Sequence, residues 1–316
     1  MIAARIGVVA VLLIAGAAEA QSPETLSWLR KMYEASQKLS YSGTFVYQQG
    51  KRSETSRITR YGPADIERLE VLDGMPREIV RDRDQVTCYL PRSQVVKIQN
   101  RAFERAFPAV LPEQVGALAK HYDISMGETD RIAGFDCQAI LLTPKDNLRY
   151  GYRFYADAGS GMLLKAVTVD SGGDIIEQFS FTALKIGGVT REMVRSKQSI
   201  AGWRIERAQA SPAHLAGWGL ASELPGFRRT AELKRTFAGS RQDGQMVFSD
   251  GLAAVSVFIE PLDAARREAM HAGLASAGAI HIYTREVANH MVTVVGEAPA
   301  ASVQRIGNAV EYRETK

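Results

Sequence analysis

Histidine is the residue type here with the widest range of possible chemistry, and the chain has five. His271, His281 and His290 follow at intervals of 10 and 9 residues, with no HExxH pair and no cysteine cluster beside them. Zinc sites typically use such a helical pair or a close cysteine–histidine set. A pairing of His281 with His290 across a hairpin stays open. We expect no metal site and, without a glycine-rich phosphate loop, no cofactor.

Asp170-Ser171-Gly172-Gly173 is the segment closest to a catalytic motif, because it resembles the surroundings of a serine-protease nucleophile. Val169 precedes it where those proteases have glycine, and the single histidine upstream, His121, ends a predicted helix. A glycine-rich hairpin turn explains the four residues fully. The sequence therefore favours a binding protein over an enzyme, with no catalytic residue.

Residues 1–20 have the pattern of a cleavable export signal. Arg5 supplies the charged start, residues 6–17 are apolar, and Ala18-Glu19-Ala20 supplies the small-x-small cleavage pattern. The apolar run is shorter than the ~20 residues that span a bilayer, which disfavours the alternative of an uncleaved anchor. We expect a soluble mature protein outside the cytoplasm. Its formal net charge of +4 is too low for a typical nucleic-acid binder.

The two cysteines, Cys88 and Cys137, are 49 positions apart in strand-like runs. Exported proteins meet an oxidising compartment, where paired cysteines commonly form disulfides. In the chain-entropy model, a loop of this length stabilises the fold by about 4 kcal/mol. We expect a Cys88–Cys137 disulfide, with two buried free thiols as the alternative.

Basic pairs and aromatic strands are the remaining candidates for binding. Lys51-Arg52, Arg228-Arg229 and Lys234-Arg235 would suit an anionic partner, although solvated surface is the commoner role of such pairs. The aromatic residues on one face of the run from 41 to 48 would line a lipid pocket or belong to the core. These are Tyr41, Phe45 and Tyr47.

Alternating strands dominate the chain after an opening helix that begins at Pro23. The meander from Ile132 to Gly187 is the clearest part, and its short polar turns favour antiparallel neighbours. A sheet this large must curl or close. The expected fold class is α+β: a large curved antiparallel half-barrel with helices in its concavity, then a smaller mixed α/β domain. We place the first domain at residues 21–190, a linker at 191–211 and the second domain at 212–316.

Six short segments, taken in their order along the mature chain, together resemble one family. They are LSYSGTFVY at 39–47, LDGMPREIVR at 72–81, EQF at 177–179, LPGF at 224–227, FSDGL at 248–252 and VVGEAP at 294–299. Through these segments the chain resembles the RseB/MucB family, whose members are periplasmic negative regulators of the envelope-stress sigma factor.

The resemblance implies a first domain like the lipoprotein carriers LolA and LolB, and a second domain that helps to hold the partner. The implied partner is the periplasmic domain of a membrane-spanning RseA/MucA-type anti-sigma factor, which the protein shields from site-1 proteolysis. Lipopolysaccharide or another lipid is implied as the releasing ligand. A periplasmic lipid or lipoprotein carrier is the alternative function, and a homo-oligomer stays open.

The candidate binding residues follow from the resemblance and from the surface patterns together. Partner contact is expected at Arg228, Arg229, Phe248, Asp250 and Leu252. Lipid contact is expected at Tyr41, Phe45 and Tyr47.

Overall fold

The opening helix forms as its sequence predicts. The computed structural model describes residues 23–83, 85–100, 111–236 and 242–314, and the expected export signal lies outside them. Helix α1 (Pro23–Lys38) starts with proline. Proline suits this position because a backbone N–H in the first turn would have no intrahelical partner. Its buried face includes Leu29 and Met32. Within the described ranges, no helix is long and apolar enough to cross a bilayer.

Antiparallel strands form the first sheet. The first strand in the sequence lies in the middle of this sheet. The strands are β1 (Tyr41–Gln49), β2 (Arg52–Tyr61), β3 (Ile66–Val71), β4 (Glu78–Asp82), β5 (Gln85–Leu90), β6 (Val95–Asn100), β7 (Tyr122–Ile132), β8 (Phe135–Pro144), β9 (Gly151–Asp157), β10 (Leu163–Val169) and β11 (Ile175–Ile186). Two meanders, β1 to β6 and β7 to β11, join where β1 pairs with β11.

One face of this sheet carries the main core. Tyr41 and Phe45 alternate with less buried neighbours along β1, as the sequence predicts. Leu29 of α1 packs in the same core, and a short 3-10 turn at Val115–Lys120 adds Leu118. Each fully buried leucine of this kind contributes about 1.5–3 kcal/mol. The expected fold class is confirmed: a large open antiparallel sheet with few helices, followed by a separate smaller sheet domain.

The second domain is a smaller antiparallel sheet with one long helix against it. Its strands are β12 (Arg204–Pro212), β13 (Trp218–Leu220), β14 (Arg228–Thr236), β15 (Gln242–Ser249), β16 (Ala254–Pro261), β17 (Gly273–Ala277), β18 (Ile280–Val287), β19 (His290–Gly296) and β20 (Val310–Tyr312). The helices are α2 (Ala264–Ala269) and α3 (Ala300–Ala309). The main sheet runs β12-β14-β15-β16-β19-β18-β17, while β13 pairs with β20. The turn between β15 and β16 contains Asp250-Gly251, as predicted from that dipeptide.

The segment expected to be a linker, 191–211, is structured over much of its length. A 3-10 turn at Arg191–Val194 buries Val194 against Ile66, on the sheet face opposite the main core. Further on, β12 pairs in parallel with β6 over residues 204–208 and antiparallel with β14 over residues 209–212. The connection between the domains is therefore a strand that belongs to both sheets.

The expected Cys88–Cys137 disulfide is wrong, because both residues are free thiols. Cys88 lies on β5 and Cys137 on β8, with seven strands between them in the sheet. At about 4.8 Å per strand step, this separation far exceeds the reach of a disulfide. Sequence alternation places each cysteine in a strand but does not reveal which strands are neighbours.

Candidate partner-binding region and the interdomain seam

Arg228 and Arg229 start β14, and both are exposed. In the β14–β15 pair they lie opposite Ser249 and Phe248, so the structure brings the basic pair beside the predicted hairpin. Arg229 Nη1 is 3.3 Å from Glu232 Oε2. The Arg229 side chain is 45% exposed and that of Glu232 only 14%, so the guanidinium stays open to a second carboxylate while Glu232 remains in place.

The other three predicted contact residues lie in intramolecular contacts. Phe248 is 5% exposed and belongs to the core of the second domain. The side chain of Asp250 is fully buried. Leu252 packs against the main core of the first domain. A partner can therefore reach Asp250 only if the two domains separate, and Phe248 is covered by the second domain itself.

Arg149 is the centre of the seam between the domains. It comes just before β9, and its side chain is fully buried. Its Nε donates to Asp250 Oδ2 at 2.9 Å, and its Nη2 donates to the Pro225 carbonyl at 2.6 Å. The third nitrogen, Nη1, pairs with Asp146 of its own domain. The guanidinium thus joins one acid of the first domain to two groups of the second.

Aromatic and glycine residues complete the environment of Arg149. The guanidinium carbon lies 5.3 Å from the centre of the Phe227 ring, a cation–π distance. Tyr122 Oη donates to the same Asp250 Oδ2 at 3.0 Å. Gly226 has a φ of +81°, and a Cβ there would lie 2.5 Å from Arg149 Nη2. Only glycine fits between these groups, which explains the Leu-Pro-Gly-Phe sequence at this point.

Each domain also inserts a leucine into the other. Leu148 of the first domain belongs to the second-domain core, and Ser302 Oγ donates to its carbonyl at 2.7 Å. Leu252 makes the reciprocal insertion. A further polar contact joins Tyr150 Oη to His281 Nδ1 at 3.4 Å. The seam is consequently a mixed interface, apolar at the leucines and ionic at Arg149.

The three predicted lipid-contact residues lie along β1 at different depths. Tyr41 is fully buried and Phe45 almost so, with the Phe45 ring 5.8 Å from that of Phe181 in edge-to-face contact. Tyr47 is half-buried, and its hydroxyl donates to Glu177 Oε2 at 2.6 Å. Burial, the Glu177 hydrogen bond and nearby carboxylates raise the pKa of Tyr47, so its phenol stays protonated. Tyr41 and Phe45 serve as core in this arrangement.

Sequence reasoning missed Arg149, Tyr122 and Leu148, which make most of the first domain's contribution to the seam. The available signal was Leu148-Arg149-Tyr150, where one charge interrupts an apolar strand entry. A charge in such a place requires a partner. The sequence does not show which of the many carboxylates supplies it.

The fold and the seam define a class: a two-domain, mostly β protein whose small sheet domain docks on a large open sheet domain. The chain belongs to the MucB/RseB family. The MucB/RseB N-terminal domain matches residues 24–211, and the MucB/RseB C-terminal domain matches residues 212–311. The resemblance inferred from the six sequence segments is thereby confirmed.

Named relatives extend over nearly the whole chain. The sigma factor AlgU regulatory protein MucB of Pseudomonas aeruginosa is 29% identical over 301 residues, 92% of this chain and 92% of its own. The sigma-E factor regulatory protein RseB of Escherichia coli K12 is 24% identical over 308 residues, 95% of this chain and 94% of its own. The solved complex of Pseudomonas aeruginosa MucA/MucB matches with a TM-score of 0.70 at 26% identity, covering 92% of this chain and 100% of the solved one.

Proposed function

We propose that this protein is a periplasmic regulator that binds the periplasmic segment of a membrane-spanning anti-sigma factor and shields it from site-1 proteolysis. The observation that carries the proposal is the match of both family domains, in order, across residues 24–311. MucB, a relative similar over 92% of this chain, has been solved in complex with MucA(peri). The export signal expected at residues 1–20 supports a periplasmic location.

Arg228 and Arg229 are the proposed first contacts for the anti-sigma segment. Both are exposed, and Arg229 keeps 45% of its side chain open to solvent although it pairs with Glu232. Opposite charges on two partners speed their encounter and fix their orientation, even where each pair adds little affinity. The proposed partner surface is therefore acidic where it meets the start of β14.

A binding measurement tests this role. We expect R228E/R229E to weaken binding of the anti-sigma segment about tenfold, roughly 1.4 kcal/mol, and to reduce the salt dependence of the association rate. K51E/R52E is the matched control, because Lys51 and Arg52 are an exposed basic pair at the β1–β2 turn of the other domain. Equal weakening by both double variants would mean that net charge, not this site, matters. Unchanged binding by R228E/R229E would remove the pair from the partner surface.

We further propose that a lipid, with lipopolysaccharide as the leading candidate, releases the anti-sigma segment by binding along β1. A ligand that binds the free regulator better than the complex must lower the affinity for the partner by the same factor. Tyr47 is half-buried and is the most accessible of the three residues, whereas Tyr41 and Phe45 lie in the core with Leu29. A lipid chain therefore reaches the inner two rings only as that core opens.

Release by lipid can be tested separately from partner binding. Added lipopolysaccharide should raise the apparent Kd for the anti-sigma segment, and Y47A should weaken this effect while leaving the lipid-free Kd unchanged. The control is T44A, an exchange on the same strand at a half-buried residue of the face opposite Tyr41 and Phe45. A Kd that lipopolysaccharide does not change would refute lipid release and leave partner binding standing. Lipid binding with no affinity for any anti-sigma segment would favour the alternative of a carrier.

A further inference from the structure

The seam holds a fully buried ion pair between parts of the chain that are far apart in sequence. Arg149 and Asp250 are separated by 101 positions, and both side chains are completely shielded from water. Every nitrogen of the guanidinium has an acceptor: Asp250, Asp146 and the Pro225 carbonyl. The carboxylate of Asp250 in turn accepts from Tyr122 through Oδ2 and from the Leu252 and Ala253 amides through Oδ1.

Such a network favours two arrangements and disfavours those between them. When the seam is closed, each buried charge is paired. When it is open, water solvates both charges. A partial separation would leave a buried charge without a partner, which is strongly unfavourable. The leucine insertions act in the same direction, because packed interfaces switch between discrete states instead of deforming continuously.

The connection between the domains permits such a change. In the described chain, the two sheets are joined covalently through β12, which pairs with β6 over residues 204–208 and with β14 over residues 209–212. The change of pairing partner within one strand is a natural pivot. The seam around Arg149 lies on other elements: the β8–β9 and β15–β16 connections, the start of β7 and the segment between β13 and β14. It can therefore open without breaking either sheet.

We propose that Arg149 and Asp250 form an interdomain clasp that holds the two domains in this closed arrangement, and that its release lets them reorient. Release exposes the Asp250 carboxylate, which is fully buried here, and the part of Leu252 that packs against the first domain. The clasp goes beyond the proposed function, because it concerns the conformation of the free protein whatever its partner is. It makes Asp250 and the inserted side of Leu252 a surface that only the open form presents.

Distance measurement between spin labels in the full chain tests the clasp. Labels attach at T129C on β7 and S276C on β17, both exposed positions, in a C88S/C137A background without native thiols. D250N keeps the Oδ1 acceptor for the hairpin amides but turns a donor toward Arg149 and Tyr122. We expect one narrow distance distribution in the parent and a second, shifted population in D250N and in R149M. E54Q is the matched control, because it removes a carboxylate from an exposed ion pair with Arg77, 3.2 Å away, and should leave the distribution unchanged.

The outcomes separate the clasp from a general loss of stability. Far-UV circular dichroism establishes that each variant is folded. If R149M does not fold, R149K replaces it, since lysine keeps the charge but cannot reach all three acceptors at once. Single narrow distributions in both D250N and the folded Arg149 variant, identical to that of the parent, would overturn the clasp. A shift in E54Q equal to that in D250N would do so as well.

Discussion

Burial fixes the protonation state of the side chains around Arg149. Burial, with a smaller contribution from the Asp250 charge, raises the pKa of Tyr122 far above its usual value. Burial raises the pKa of Tyr150 to about 12. Burial and the nearby Arg149 charge lower the pKa of His121, which stays neutral where a free histidine starts to protonate. The phenols of Tyr122 and Tyr150 therefore remain hydrogen-bond donors through neutral and mildly alkaline pH.

The two thiols give a residue-scale prediction. Burial raises the pKa of Cys137 to about 11 and also raises the pKa of Cys88, so the reactive thiolate is scarce at about pH 8. In native protein we expect slow labelling of half-buried Cys88 and none of buried Cys137. Raising the pH should increase labelling of Cys137 only if it also unfolds the protein around this residue. Denatured protein should show both thiols without a reductant. Thiols that appear only after reduction would contradict the free state.

Gly43 on β1 tests the close packing of the main core. A Cβ at Gly43 would lie 2.7 Å from the Ala183 carbonyl oxygen and 2.7 Å from the Phe181 ring. We expect G43A to lower the free energy of unfolding by about 1–3 kcal/mol, the usual range for overpacking. G116A is the control, because no atom lies within 4 Å of the added carbon there. Equal midpoints for G43A and G116A in urea denaturation would show that β1 and β11 are not this close.

At the scale of elements, the sequence predicts what depends on neighbouring residues. Along β1, the alternation of apolar and polar residues predicts a strand. The Asp250-Gly251 dipeptide predicts the hairpin of β15 and β16. The parallel pairing of β12 with β6 is different, because it joins residues more than a hundred positions apart through backbone groups that every sequence has. The same limit applies to the disulfide and to Asp250. The Asp-Gly dipeptide predicted a turn at Asp250, but no neighbouring residue indicated that Asp250 would be buried in an ion pair with Arg149.

The role of β12 leads to an element-scale prediction. The Arg204 N–H donates to the Gln94 carbonyl at 2.9 Å, where β12 enters the first sheet. Proline removes this donor, so we expect R204P to lower the free energy of unfolding by about 1–3 kcal/mol. R204A is the control, because it keeps the N–H and loses only an exposed ion pair with Glu206. Should R204A destabilise as much as R204P in urea denaturation, the side chain and not the strand pairing would be responsible.

At the scale of the whole molecule, the shared strand and exchanged leucines predict a single cooperative unfolding transition. Trp28 reports on the first domain, and Trp218 reports on the second. We expect W203F/W218F, which keeps Trp28, and W28F/W203F, which keeps Trp218, to give coincident fluorescence and circular dichroism midpoints in urea. Transitions that separate by probe would show that the domains unfold independently.

Both family domains match this chain in order, and the proposed regulation depends on their acting together on one anti-sigma segment. The most direct test is the rate at which a site-1 protease cleaves a periplasmic anti-sigma segment with and without the purified mature protein. We expect saturating protein to slow cleavage strongly and lipopolysaccharide to restore it. An unrelated periplasmic segment that the protease also cuts serves as the control for protease inhibition. Cleavage of the anti-sigma segment at the unprotected rate, with the protein in excess, would contradict the proposed regulator.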